Sequence, residues 1–441
     1  MDGVLKLNEP DAIKNAAFGS HDPGMVWDPA TRLYYSYSTD VYSPQGGLPA
    51  RIGIPVRTSP DLVHFTYRGT VLSEAAIAQG RDNGSFAATH NFWAPFVECV
   101  RGEWRMYYSA TRAFGSSESR IWLAVAKEPL GPFENRGVVA DTWGTSDELP
   151  NAIDPHVLRS GSDVWLVYGS FFGGIFMKRL DDKTGLALKP PEVLGTCVSH
   201  KATPVVIDGP EGASAFYCEQ TGYYYLFQSY GWLGDGYDIR VGRSKSPTGP
   251  YLDWHGRDLR GQSLGLKLAG SWCFSASSPN ARRDGKWSWG GFRGPGHGVP
   301  FFDPVRGAHF FVHHVRDGAA CFRSWDAHMR RYSYNRHYLM IRAMYFLDNG
   351  WPVLSPEPFC GEDVAQVPLP PGMHTWEVIR FEERNNDMKS STQVVLSSAD
   401  PLFAHSVCCR CLDFENGGGD VLCVTGVDAH GNAFWGKLVG N

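Results

Sequence analysis

The chain has no apolar run near the roughly 18 residues that a membrane-spanning helix needs, which excludes a helical membrane protein. It also has no block of like charges: 41 Lys and Arg stand against 46 Asp and Glu over 441 residues, a formal net charge of −5. Neither nucleic acid nor a membrane surface is a natural partner for such a balance. CxxC pairs and zinc-type Cys/His spacings are missing too. The ten cysteines are scattered until Cys408, Cys409, Cys411 and Cys423, whose alternation along a predicted strand reads as buried free thiols, with a disulfide as the sharper alternative. Met1 to Glu9 lack the basic and then apolar pattern of a signal peptide. The protein is therefore expected either to be cytoplasmic, or to act outside the cell as a chain that begins after a cleavage site. A monomer is the expectation for its oligomeric state.

What the chain has in quantity is aromatic residues, 13% with 15 Trp and 19 Tyr, together with 50 Gly. That mixture suits short strands joined by tight turns, and flat surfaces that stack on sugar rings. One aromatic strand pattern occurs five times, as LYYSYS (Leu33 to Ser38), WRMYYS (Trp104 to Ser109), VWLVYGS (Val164 to Ser170), YYYLFQS (Tyr223 to Ser229) and HFFVHH (His309 to His314). Each copy follows a shorter strand-starting segment: HDPGMV, WAPFVE, IDPHVL, EGASAF and GHGVPF. Third strands closed by Gly-Pro turns follow some copies, as in AVAKEPLGPF and VGRSKSPTGPY. Meanders of about four strands repeated radially make a β-propeller. The fold expected is all-β, a five-bladed β-propeller over residues 1–365. After the Pro-Gly stretch Val367 to Gly372, residues 373–441 are expected to form a small antiparallel β-barrel or sandwich domain.

In a propeller the first strand of each blade lines the central channel, so the residues at the five strand starts converge. They read His21 and Asp22, Trp93, Asp154, Glu211 and His297. Two carboxyl groups, one protonating a leaving oxygen and one activating water, are what glycoside hydrolysis needs. A third negative charge raises the acid's pKa and keeps it protonated near neutral pH. Asp22, Asp154 and Glu211 fit the three roles. Asp before Pro is also ordinary turn chemistry; recurrence at equivalent blade positions is what favours function. Glu219 lies in the same hairpin as Glu211 and competes for the acid's role, but Gln220, Thr221 and Gly222 beside it read as an outer turn, whereas small residues follow Glu211.

The best-matching stretches, HDPGMV, NFWAPFVE, NAIDPHV with YGSFFGGIF, PEGASAF with GYYYLFQSYG, GPGHGVPFFDP and DNGWPVLSP, resemble glycoside hydrolase family 43, and within it the two-domain endo-α-1,5-L-arabinanases. NAIDP followed by SFFGGI is the most specific of these, and VTGVDAHGNAFWGK resembles the close of their extra β-barrel domain. The resemblance implies inverting hydrolysis of arabinan, with Asp22 as general base, Asp154 as pKa modulator and Glu211 as general acid. It also implies a calcium ion in the central channel with His297 as a direct ligand and waters completing the shell, although calcium prefers oxygen and a lone His is more often a hydrogen-bonded core residue. Trp93, Phe171, Phe172 and Trp232 are candidates for sugar stacking, with core packing as the alternative for the two phenylalanines. Asn151 and Ser170 are candidates for hydrogen bonds to the furanose. The C-terminal domain, with Trp376 and Trp435, is expected to bind sugar, to brace the propeller or to lend the cleft a loop. The competing readings are an exo-acting arabinofuranosidase or β-xylosidase with the same carboxylates, and a non-catalytic glycan-binding propeller, which predicts the loss of at least one of them.

Overall fold

The computed structural model describes residues 19–39, 52–81, 92–112, 115–145, 148–233, 236–274, 291–317, 325–326, 331–332, 337–414 and 418–439. Met1 to Glu9, Asn91 and Cys321 lie outside them. The protein is all-β, with one α-helix of eight residues among the described residues, Glu74–Arg81, opened by a Ser73 hydroxyl that accepts from the Ala76 N–H. Among the described residues no helix is long and apolar enough to cross a membrane.

The first 270 residues build four antiparallel meanders in chain order. Their strands are Gly24–Asp28, Leu33–Tyr37, Pro55–Ser59 and Thr66–Thr70; Phe92–Val100, Glu103–Thr111, Ser119–Ala126 and Glu134–Asp141; His156–Ser160, Asp163–Tyr168, Ile175–Leu180 and Thr196–Ser199; and Glu211–Cys218, Tyr223–Ser229, Ile239–Ser244 and Leu266–Ala269. A fifth sheet runs Pro352–Leu354, His337–Phe346, Ala308–Asp317, Phe292–Asp303 and Trp272–Cys273. Every aromatic repeat of the sequence falls on a second strand. These strands are apolar on both faces because each sheet is covered by a neighbour on either side: in Glu103–Thr111 every residue after the first is buried.

The first strands touch one another in a closed cycle. Gly24–Asp28 meets Phe92–Val100, which meets His156–Ser160, then Glu211–Cys218, then Phe292–Asp303, which returns to Gly24–Asp28.

From Met373 a separate five-stranded antiparallel sheet begins, in the order Thr392–Ser397, Met373–Phe381, Ala433–Leu438, Asp420–Val427 and Ser406–Leu412. It is not independent of the larger part. Lys389–Ser390 pairs parallel with Trp272–Cys273 of the fifth sheet, and one apolar cluster joins Trp272, Phe292 and Trp351 to Cys409, Cys423 and Trp435. Trp435 meets Trp272 edge-on at 5.4 Å, with the Arg342 guanidinium over both rings. Trp376 and Trp435, each 1% exposed, are therefore core residues and bind no sugar. Cys408, Cys409, Cys411 and Cys423 are buried free thiols, as their alternation implied.

Candidate active site

The five inner strands begin with the same local geometry. Asp22, Ala94, Asp154, Gly212 and His297 all have left-handed backbone, with φ of 49°, 47°, 59°, 58° and 46°. Such a conformation costs a non-glycine residue energy and persists where surrounding structure enforces it. Here the enforcing contact is repeated. The Ala94 N–H donates to Thr39 Oγ1 (2.9 Å), that of Asp154 to Ser109 Oγ (3.0 Å), that of His297 to Ser229 Oγ (3.0 Å) and that of Asp22 to His314 Nδ1 (3.3 Å). Each acceptor stands within three residues of the end of the preceding sheet's second strand, and the last of them links the fifth sheet back to the first.

This alignment corrects one expectation. Glu211 is not equivalent to Asp22 and Asp154; Gly212 holds that position, and Glu211 stands one residue earlier, beside His21 and Trp93 in the repeat. Gly212 breaks the pattern of acceptors because its N–H donates to Asp154 Oδ2 at 3.0 Å. A Cβ there would press within 3.0–3.1 Å of His297. The absent side chain lets the Glu211 segment approach both Asp154 and His297.

Asp22, Asp154 and Glu211 nevertheless share one buried site. Asp22, 9% exposed, accepts a hydrogen bond from the Thr39 hydroxyl at 2.6 Å and lies 2.8 Å from His21 Nδ1 and 3.2 Å from His297 Nδ1. Burial pushes its pKa up, but His21 and His297 outweigh that and hold it well below the usual carboxylate range. Asp154, 5% exposed, is pushed the other way by burial and by the charges of Glu211 and Asp22. Glu211 is pushed up to about 7, first by burial and then by Asp22 and Asp208, against hydrogen bonds from Ser170 (2.8 Å to Oε2) and Tyr237. Two adjacent buried carboxyls cannot both ionise cheaply, so the Asp154–Glu211 pair retains a proton that Asp22 does not. Glu219, by contrast, is exposed in the hairpin turn, eight residues along the strand and roughly 25 Å away.

The segment Gly169 to Gly174 frames the acid. Phe171 and Phe172 have φ of 49° and 40°, and the Phe171 N–H donates to the Pro210 carbonyl at 2.7 Å. Gly173 abuts the backbone of Leu149 and Pro150 so closely that a Cβ would come within 2.6 Å of both. Ser170 is thus aimed at Glu211 rather than left free. Asn151 donates to the Ser116 carbonyl at 3.1 Å while its buried Oδ1 has no partner. Trp93, Phe171 and Phe172 are half-buried, and Trp232 is 49% exposed. Tyr237, which the sequence did not single out, completes the surroundings of the acid, its ring 5.7 Å from that of His314; Gly296 is glycine because a Cβ would enter the Tyr237 ring.

His297 is 8% exposed, and burial pushes its pKa down against the opposing pull of Asp22, which favours the neutral imidazole. With Nδ1 facing Asp22 at 3.2 Å, the proton belongs on Nδ1 and the lone pair on Nε2, the arrangement in which a carboxylate orients a metal-ligating histidine. That donor chemistry fits a cation taking one imidazole and a shell of water. Nearby, His21, Asp22 and His314 offer ligand atoms within 4.8 Å of one another.

The model of the family Glycosyl hydrolases family 43 matches residues 17–352. An extracellular endo-α-(1→5)-L-arabinanase of Thermotoga petrophila is 29% identical over 86% of this chain and 79% of its own length. An extracellular exo-α-(1→5)-L-arabinofuranosidase of Cellvibrio japonicus is 32% identical over 60% of this chain and 76% of its own. The crystal structure of the endo-1,5-α-L-arabinanase from Thermotoga petrophila superimposes with a TM-score of 0.76 at 25% identity, covering 96% of this chain and 98% of that one.

Proposed function

Since the chain belongs to glycosyl hydrolase family 43, we propose that it is an endo-arabinanase, hydrolysing α-1,5-L-arabinofuranosidic links within arabinan with inversion. The observation that carries the mechanism is the opposite displacement of two carboxyls in one site, Asp22 held low and Glu211 raised to about 7. Near neutral pH one is a carboxylate and the other still carries a proton, the division of labour a one-step displacement requires. Asp22 accepts a proton from water as that water attacks the anomeric carbon. The bond to the leaving oxygen breaks, and Glu211 protonates that oxygen. Asp154, beside Glu211 and bonded to the Gly212 N–H, keeps the acid protonated and the strand start in place.

The remaining assignments follow the same reading. The cycle of inner strands and its repeated hydrogen bonds support a five-bladed β-propeller over residues 1–365, with residues 373–441 as a second, small antiparallel β-barrel domain. Trp93, Phe171 and Trp232 supply apolar faces for furanose rings, and the unpartnered Asn151 Oδ1 accepts from a sugar hydroxyl. Ser170 contributes through Glu211. His297 would hold a calcium ion through Nε2, with water as the rest of its shell, and the ion would supply positive charge beside Asp22. The protein acts as a monomer, and relatives named as extracellular favour action outside the cell.

Chromatography of products from linear arabinan and from arabinoxylan tests the activity, with proton NMR of the first-formed anomer testing inversion. Early mixed arabino-oligosaccharides from arabinan alone are expected. Arabinose alone would move the protein to the exo mode named for the Cellvibrio relative, and no product from either would support a glycan-binding role. Glu211→Ala and Asp22→Ala should each lose roughly 10²- to 10⁴-fold in kcat, while Glu219→Ala retains activity.

A further inference from the structure

The loop 382–391, between two strands of the C-terminal sheet, is fastened to the fourth sheet by polar contacts. Arg257 Nη2 lies 2.8 Å from Glu383 Oε2, and Lys267 Nζ donates to the Asn385 carbonyl at 2.7 Å. One residue of this loop reaches further in. Asn386 Oδ1 accepts from Arg240 Nη2 at 3.2 Å and from Lys267 Nζ at 3.1 Å, and its Nδ2 donates to the carbonyl oxygen of Gly236.

Gly236 immediately precedes Tyr237, whose hydroxyl hydrogen-bonds Glu211. Tyr230 and Asp238 are tied to each other: Asp238 is fully buried, pairs with Arg240 at 2.6 Å and accepts from the Tyr230 N–H at 3.2 Å. At Gly236 the side chain that holds it is Asn386. Room for that amide is built in: a Cβ on Gly231 would stand 2.6 Å from Asn386 Nδ2 and 2.2 Å from the Gly236 carbonyl. The same segment carries Trp232.

We propose that Asn386, from the C-terminal sheet, is a positioning residue for the catalytic acid: it fixes the Gly236 carbonyl and thereby the Tyr237 hydroxyl on Glu211. The inference rests on Glu211 being the acid. It gives the C-terminal sheet a part in the reaction while that sheet touches no reacting atom. The groups facing Glu211 are Ser170, Tyr237, Asp22, Asp154 and Asp208, with His297 across Gly212. Of these Tyr237 is the one Asn386 controls. Its hydrogen bond favours the ionised acid, so a loosened Tyr237 leaves the acid titrating at higher pH.

Asn386→Asp is the informative variant, because a carboxylate still accepts from Arg240 and Lys267 but no longer donates to Gly236. The expected result on linear arabinan is a roughly tenfold fall in kcat from a misplaced acid, little change in KM, and a basic limb of the pH profile moved to higher pH. Glu383→Gln, which weakens the fastening of the same loop without touching the Gly236–Tyr237 segment, should lower the melting temperature and leave the limb in place. A wild-type limb and kcat in Asn386→Asp would overturn the proposal, as would an equal displacement in Glu383→Gln. Carbon-13 NMR titration of Glu211 in wild type and Asn386→Asp reads the same displacement without substrate. An upward move there supports the buttress even if arabinan proves not to be cleaved, and no move sinks it even if arabinan is a good substrate.

Discussion

Replacing Asp154 by Asn removes one of the two carboxyls that share a proton, while keeping the side chain's shape and an oxygen for the Gly212 N–H, now at 3.0 Å from Oδ2. Glu211 is raised from 4.5 to about 7, with burial the first cause and Asp22 and Asp208 adding to it, and it pushes Asp154 up in turn. Burial survives the substitution, so Glu211 does not return to an ordinary value; losing the carboxyl coupled to it at close range should lower it by about 1–2 pH units. An acid works while protonated, so its pKa sets the basic limb of kcat/KM, and that limb should move to lower pH by the same amount. At pH 7 the protonated fraction then falls roughly 5- to 50-fold, whereas at pH 5 it falls by about twofold at most. The assay is reducing-sugar release from linear arabinan at sub-saturating concentration, between pH 4 and 9. A large loss at pH 7 that nearly vanishes at pH 5 is expected. A loss of equal size at every pH would refute the reasoning, because it would make Asp154 an orienting group whose charge does not govern the acid.

Lys437 is 3% exposed and pairs with Glu357 at 2.8 Å and Asp413 at 3.3 Å, tying the C-terminal sheet to the segment after the fifth sheet. Lys437→Ala takes the cation away from the buried Glu357 carboxylate and should cost about 3–5 kcal/mol in denaturant unfolding; a cost below about 1 kcal/mol would show that the pair is effectively solvated. Trp232→Ala, at a half-exposed ring beside the acid's loop, should raise KM for arabinan roughly 5- to 30-fold with a smaller change in kcat, the loss of one stacking contact. An unchanged KM would remove Trp232 from the cleft. Exhaustive chelation should lower activity reversibly, with calcium restoring it in wild type and not in His297→Ala; full activity and an unchanged melting temperature after chelation would dispose of the cation.

The sheets were legible in the sequence because burial on both faces makes a second strand an uninterrupted aromatic and aliphatic run, and five such runs, each preceded by a shorter strand start, admit few architectures. Asp22 and Asp154 were legible for a local reason: each is followed by proline, as is Ala94, and the pair marks where a left-handed residue turns the chain into the inner strand. That marker is absent at Gly212 and His297, so the register of the fourth strand was misread by one residue. Glu211 was still found, because the slip moves the carboxyl along the chain and not out of the channel. What no local pattern carries is contact between distant segments. Tyr237 lies 26 residues past Glu211 in a loop without periodicity, and Asn386 lies another 149 beyond it, in a sheet whose own strands read as self-contained. An asparagine at a turn is ordinary turn chemistry. Its difference here is that Gly231 leaves the space its amide occupies against the Gly236 carbonyl, and each of those glycines taken alone reads as another turn. The three residues become one device only when the C-terminal loop is laid against the fourth sheet. The groups that perform the chemistry are thus announced by repetition, and those that tune it depend on where two independently patterned parts of the chain meet.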